Sequence, residues 1–273
     1  MLEFLKAVLY GILEGVTEWL PISSTGHLIL LKELLPLNVS QEFWDLFEVV
    51  IQLGAILAVI LLFFKKLNPF APSKSKLEKK GTWDLWFHVV VAVLPSAVLG
   101  FLLDDWLTAK LYNYVTVAIT LILYGVAFLF LERNKDRQFR VETVDAIDYK
   151  TALLIGAFQC LALIPGTSRS GSTILGAMIL GVSRTAAAEF SFFLAIPTML
   201  GASLLKAVKF AAKGMVMTSQ EAMILVVGCV VSFVVSLLVI QSLMQYVRKH
   251  TFSAFGVDRI LLGALVLLYF LVA

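Results

Sequence analysis

Long apolar runs separated by short polar segments dominate the chain. Six stretches approach the roughly 20 residues that a membrane-spanning helix needs: Phe47–Phe64, Trp86–Leu103, Tyr114–Leu131, Phe190–Lys206, Ala222–Met244 and Ile260–Ala273. Two further apolar regions, Leu2–Leu37 and Thr151–Leu180, are interrupted midway, by Pro21-Ile22-Ser23-Ser24-Thr25-Gly26-His27 and by Pro165-Gly166-Thr167-Ser168-Arg169-Ser170-Gly171-Ser172-Thr173. Each half is too short to span. A helix that enters the bilayer, breaks and returns satisfies this pattern if the broken backbone faces protein or a water-filled cavity. The expected fold is an all-α polytopic membrane protein, one integral membrane domain over 1–273, with about six spanning helices and two re-entrant helical hairpins.

The interrupted regions resemble each other. At an ungapped offset of 145 residues, Gly11, Ser23 and Gly26 fall on Gly156, Ser168 and Gly171, with Glu14 on Gln159 and Thr25 on Ser170. Further on, Glu42-Phe43 followed by Leu53-Gly54-Ala55 recurs as Glu189-Phe190 followed by Leu200-Gly201-Ala202. The shared order points to an internal duplication with units of approximately 1–131 and 150–273, joined by a loop at 132–149. One hairpin plus three spans per unit is an odd number of crossings, so the second unit must be inverted, as in transporters built on broken helices.

Composition agrees with a lipid solvent. The hydrophobic class makes up 60% of the 273 residues and charged residues only 15%, against about 45–50% and about 25% in soluble domains. The mean hydropathy is +0.92. A net charge of +3 with basic residues confined mostly to loops argues against nucleic-acid binding. Lys65–Leu85 carries six lysines and Glu132–Lys150 five basic residues, which places both on the cytoplasmic side, whereas the expected loop Asp104–Asn113 has only Lys110. Both termini and the entry of the first hairpin then lie outside, with Lys206, Lys209 and Lys213 against the trend. Cys160 and Cys229 read as buried structural thiols. The first 20 residues read as mature protein, because Glu14 and Glu18 interrupt the apolar stretch and no A-x-A cleavage pattern follows.

Ionisable groups at membrane depth cost about 2.5–3.5 kcal/mol each on insertion scales and mark function by default. Glu14 and Glu18 share one helix face at i,i+4 spacing. Two such carboxylates cannot both stay ionised in a dry site, so one is protonated or a divalent cation or basic group lies between them. The first break adds Ser23, Ser24, Thr25, Gly26 and His27. If Gly26 opens the second half-helix, its free N–H groups suit an anion. His27 can move protons near neutral pH or attack phosphorus. In the second break Arg169 lies among Ser168, Ser170, Ser172 and Thr173, with Gly166 and Gly171 loosening the backbone. A guanidinium surrounded by hydroxyls is a phosphate or carboxylate receptor.

Weaker candidates complete the set. Glu48 and Gln52 repeat the i,i+4 spacing and are expected to line the same cavity. Arg184 and Glu189 are expected to pair near a membrane boundary. His88 reads as interfacial, and Thr218-Ser219-Gln220-Glu221 as a capping box.

On Glu14-Gly15-Val16-Thr17-Glu18-Trp19-Leu20-Pro21-Ile22-Ser23-Ser24-Thr25-Gly26-His27, on Pro165–Thr173, and on Ser183-Arg184 leading to Glu189-Phe190-Ser191-Phe192, the sequence resembles the bacterial undecaprenyl-diphosphate phosphatase family, also known as the bacitracin-resistance proteins. The resemblance runs along essentially the whole chain. It implies a multi-pass hydrolase of the bacterial plasma membrane that removes the terminal phosphate of undecaprenyl diphosphate and regenerates the lipid carrier for cell-wall synthesis. It also implies a divalent cation, Mg2+ or Ca2+, and a site open to the outer face. Carried over by motif, Glu14 and Glu18 match the acidic pair and the metal position, and Ser24 and His27 match the nucleophile or proton-transfer candidates. Arg169 matches the diphosphate-binding arginine. Ser23, Thr25, Gly26, Gly166, Ser168, Ser170, Gly171 and Thr173 are expected to contact substrate. A homodimer is compatible with the sequence. The rival reading is a prenyl-phosphate flippase or secondary transporter on the same inverted-repeat plan.

Overall fold

The computed structural model describes residues 1–133 and 138–272. The expected joining loop 132–149 lies partly outside these residues, as does Ala273 at the end of the last expected span, and the side chain of Asp104 is likewise outside the description. The helices are α1 (Leu2–Thr17), α2 (Ser24–Leu34), α3 (Gln41–Val50), α4 (Gln52–Leu62), α5 (Phe64–Leu67), α6 (Lys76–Leu111), α7 (Tyr114–Glu132), α8 (Tyr149–Cys160), α9 (Arg169–Ile179), α10 (Arg184–Ala212), α11 (Ser219–Val247) and α12 (Ser253–Val272). The fold is all-α.

Among the described residues six helical stretches are long and apolar enough to cross a bilayer: Gln41–Leu62, Lys76–Leu103, Tyr114–Glu132, Arg184–Ala212, Ser219–Val247 and Ser253–Leu271. Each coincides with an expected span. The helices begin earlier than hydropathy indicates because polar caps start them: Ser75 with Glu78 and Thr218 with Glu221 form capping boxes, and Ser183 caps α10. The expected loop at 104–113 is instead the end of α6, which runs unbroken to Leu111. That segment is polar but holds no Gly or Pro, so nothing stops the helix. With 36 residues α6 is about 54 Å long and outreaches a hydrocarbon core of about 30 Å.

Both interrupted regions break where the polar residues lie. The halves α1, α2, α8 and α9 have 16, 11, 12 and 11 residues, each shorter than a span at about 1.5 Å per residue. Packing comes in matched sets: α1 lies along α11 as α8 lies along α6, and α7 packs on α12. Small residues permit these approaches, as is common between membrane helices. A Cβ on Gly11 would lie 2.7 Å from the Gly228 carbonyl oxygen, and one on Gly156 would lie 2.1 Å from that of Ala92. Gly125 and Gly256 face each other reciprocally across α7 and α12.

Two expectations about side chains change. Arg184 pairs with Glu132 rather than Glu189, and Glu189 pairs with Lys66 at 2.9 Å. Five residues apart on one helix, Arg184 and Glu189 point in different directions. Cys160 and Cys229 are free thiols, half-buried rather than fully buried. His88 meets the Tyr149 ring at 4.1 Å between centroids.

Candidate active site

The two breaks share one backbone solution. Ser23 and Ser168 are the non-glycine residues with positive φ among those described, at 73° and 70°, a conformation that costs on the order of 1–3 kcal/mol. Each is the N-cap of the following half-helix. Ser23 Oγ accepts from the Gly26 amide at 3.4 Å and Ser168 Oγ from the Gly171 amide at 3.1 Å. The half-helix therefore opens at Ser24, two residues before Gly26, and the Gly26 amide is already occupied. The strained serines turn the chain so that both half-helices start from the same buried region.

Glu18, the C-cap of α1, joins the two breaks. Its Oε1 accepts from Arg169 Nη2 at 2.8 Å and its Oε2 from Ser24 Oγ at 3.2 Å. Arg169 also donates through Nη1 to the Ser191 carbonyl at 2.7 Å and to Ser191 Oγ at 3.1 Å. Its guanidinium lies 5.7 Å from the centroid of the Trp19 ring. Trp19 is itself wedged edge-on against Phe192 at 5.2 Å. The Arg169 Nε is buried without a partner, a donor left over in a site otherwise saturated with acceptors.

A cavity of about 420 Å³ opens beside this cluster, its polar end lined by Glu18, Ser24, Thr25, Gln52, Ser168 and Arg169. It shares Ser24, Thr25 and Gln52 with a chamber of about 270 Å³ lined also by Glu48, Tyr112 and Lys206. Tyr112 donates to Glu48 Oε2 at 3.2 Å. Gln52 thus lines both cavities, whereas Glu48 lines only the second chamber. Gly166 lines the larger cavity, with a φ of +84° that only glycine adopts freely.

Other expected site residues are placed differently. His27 lines neither chamber, and its Nδ1 lies 2.8 Å from the Ser23 carbonyl oxygen. Ser23 is buried as a cap. Ser170 donates to the Glu18 carbonyl at 3.0 Å, so it ties the second break to the first. Thr173 Oγ1 lies 2.7 Å from Ser191 Oγ and supports the residue that holds Arg169. Gly171 is a point of close approach, since a Cβ there would lie 2.8 Å from Arg259 Nη1.

Arg259 is the residue that reading the sequence missed. Fully buried on α12, it donates to the Pro21 carbonyl at 3.0 Å and to those of Gly166 and Thr167 at 2.9 and 2.7 Å. It therefore satisfies carbonyls that both breaks release from helical hydrogen bonding. The last expected span began at Ile260, one residue too late, and so left this intramembrane charge uncounted. Ser96 and Thr198 were missed as well, because lone hydroxyls in spans carry no sequence signal, and Ser191 reads only as part of a motif, with no role of its own.

Glu14 and Glu18 are the side chains a cation would use. Glu14 is fully buried, both its oxygens lack hydrogen-bond partners, and the charged groups around it are Glu18, Glu48 and Arg169. Among the described residues no group of three or more His, Cys, Asp or Glu side chains converges. The unpartnered Glu14 oxygens would suit a hard divalent ion, although Glu14 lines neither chamber and both Glu18 oxygens already accept hydrogen bonds.

A family model described as Bacitracin resistance protein BacA matches residues 7–265. The chain is 55% identical over 271 residues to a protein of Limosilactobacillus fermentum, covering 99% of this chain and 98% of that one. It is 55% identical over 272 residues to one of Acetivibrio thermocellus, covering 99% of each. A third relative, from Streptococcus thermophilus, is 56% identical over 270 residues, covering 98% of this chain and 94% of its own. All three are named undecaprenyl-diphosphatase. With six helices long enough to span a bilayer and a family match over nearly its whole length, this chain belongs to the bacitracin resistance protein BacA family.

Proposed function

We propose that the chain hydrolyses undecaprenyl diphosphate to undecaprenyl phosphate and inorganic phosphate, recycling the lipid carrier for cell-wall synthesis. The observation that carries this is one carboxylate, Glu18, shared between a hydroxyl and a guanidinium from opposite breaks. Arg169 and the hydroxyls of Ser168 and Thr25 bind the diphosphate, and the guanidinium offsets charge on the equatorial oxygens of the transferring phosphoryl group. Ser24 Oγ attacks the terminal phosphorus and passes its proton to Glu18, the acceptor it already faces. The bond from phosphorus to the bridging oxygen breaks, and undecaprenyl phosphate leaves with the electron pair. Water then cleaves the serine phosphoester. Direct attack by water held at Ser24 uses the same groups. His27 has its Nδ1 against the Ser23 carbonyl oxygen and lines neither chamber, so it takes no part in this step. Glu14 and Glu18 would hold a divalent ion if one binds, and it would supply charge neutralisation on the diphosphate.

Two further readings rest on the same frame. The matched packing and the equivalent strained serines support two units, approximately 1–131 and 150–273, each with a hairpin that enters and leaves on one side. The chamber holding Tyr112 and Lys206 lies at the helix ends opposite the lysine-rich segment 65–85. This supports a site open to the outer face by the positive-inside rule.

Purified protein in detergent, with no membrane gradient, is expected to release phosphate from undecaprenyl diphosphate. Movement of lipid between leaflets of a vesicle without phosphate release would support the flippase reading instead.

A further inference from the structure

The cavity is not sealed laterally. Beyond its polar end the lining includes Ala97, Gly100 and Phe101 from α6 and Gly201, Ala202 and Leu205 from α10. Phe101 is 75% exposed, and Ala97, Gly201 and Ala202 are exposed as well. The two helices are tied together below and above this stretch. Below, Gln159 Nε2 donates to Ser96 Oγ at 2.6 Å and to Thr198 Oγ1 at 3.3 Å. Above, Lys209 Nζ donates to Asp105 Oδ1 at 2.7 Å. Between the ties runs a window about 14 Å tall on the α6 side, at about 1.5 Å per residue.

The repeat shows that the window is a departure from a closed arrangement. Leu53-Gly54-Ala55 on α4 corresponds in order to Leu200-Gly201-Ala202 on α10. A Cβ on Gly54 would lie 2.0 Å from the Cys229 carbonyl oxygen, so α4 and α11 are packed shut at that glycine. At Gly201 a Cβ would meet nothing within 4 Å. The matched glycine closes the α4–α11 pair and leaves a gap in the α6–α10 pair.

We propose that the gap between α6 and α10 at Gly201 is the portal through which the prenyl chain of the substrate passes from the cavity into the surrounding lipid. This rests on the diphosphatase reading and extends it to the lipid tail. The cavity behind the gap is polar at Glu18 and Arg169 and apolar at the window, which matches a diphosphate headgroup on a hydrocarbon chain. The chamber at Glu48 and Lys206 shares Ala202 and Leu205 with this cavity but sets two charged side chains in its own wall, which makes it the less favourable path for a hydrocarbon chain. An apolar cleft lined by Leu238, Tyr246 and Phe255 is the competing berth, but neither Glu18 nor Arg169 reaches it.

The test is photo-crosslinking of the full-length wild-type protein with a prenyl diphosphate bearing a diazirine on its hydrocarbon chain. Labelling in 97–101 and 201–205 is expected, and labelling confined to 238–255 would overturn the portal. Kinetics give a second reading. Gly201→Trp is expected to lower kcat/KM for undecaprenyl diphosphate at least tenfold, whereas Leu204→Trp, on a side chain 67% exposed beside the window, stays within twofold. Equal rates in the two variants would also overturn it. If the wild-type protein releases no phosphate, the diphosphatase reading fails, and the crosslinks still report where the chain lies.

Discussion

Arg169 donates to Glu18 at 2.8 Å across 151 residues of sequence, and this ion pair makes one site of two helix breaks. Both side chains are nearly buried. In such surroundings a charge left without its partner is costly, of order 3–5 kcal/mol. The pair therefore fixes the relative position of the breaks as well as the charge in the cavity.

Ser24 is the hydroxyl that shares Glu18 with Arg169. Ser24→Ala is expected to lower kcat for undecaprenyl diphosphate by about 10³-fold or more while the folded protein survives detergent extraction. Steady-state phosphate release checks this. Turnover near wild type would assign the attack to water or to another group.

Ser191 holds Arg169 through both its carbonyl and its hydroxyl. Ser191→Ala removes the hydroxyl's contacts with Arg169 and Thr173 but keeps the carbonyl bond, and the expected loss in kcat/KM is about tenfold or more, since a net hydrogen bond to a charged group contributes about 1.5–3 kcal/mol. The measurement is the same assay with Ser191→Thr as the conservative variant, which restores part of the rate.

Arg259 satisfies three carbonyls, one from the first break and two from the second. Arg259→Met leaves them buried without donors, at about 1–3 kcal/mol each. A lower thermal unfolding temperature in detergent is expected together with lower turnover. An unchanged unfolding temperature would show that the breaks hold their shape without it.

Asp148 caps α8 by accepting from the Thr151 amide at 2.7 Å, and hydrogen bonds from Thr151 hold its carboxyl below the usual carboxylate range. That contribution is complete above the unfolded pKa of about 3.9 and is lost as pH falls through the lower folded value. Asp148→Ala is expected to cost about 1 kcal/mol at neutral pH, and Asp148→Asn much less. Thermal unfolding at pH 7 and at pH 3 checks both statements, with the difference between wild type and Asp148→Ala shrinking at the lower pH.

The spans and both breaks were legible because hydropathy and the Pro, Gly and Ser clusters act locally. The offset of 145 residues even placed Ser23 opposite Ser168, the two positions where the backbone is strained. Which polar side chains face the cavity was not legible. Ser170 and Thr173 lie in the same motif as Arg169, yet helical rotation turns them toward Glu18 O and Ser191. Arg259 escaped notice because its partners are backbone carbonyls far away in sequence, and no spacing rule records such contacts. The end of α6 was misjudged because polarity alone does not terminate a helix.

The most direct test of the joined site is kcat/KM for phosphate release from undecaprenyl diphosphate by Arg169→Ala and Arg169→Lys. Arg169→Ala is expected to lose about 10³-fold or more, and Arg169→Lys is expected to recover only a minor part, because an ammonium cannot span Glu18 and Ser191 as the planar fork does. Near-wild-type turnover in Arg169→Ala would contradict the account.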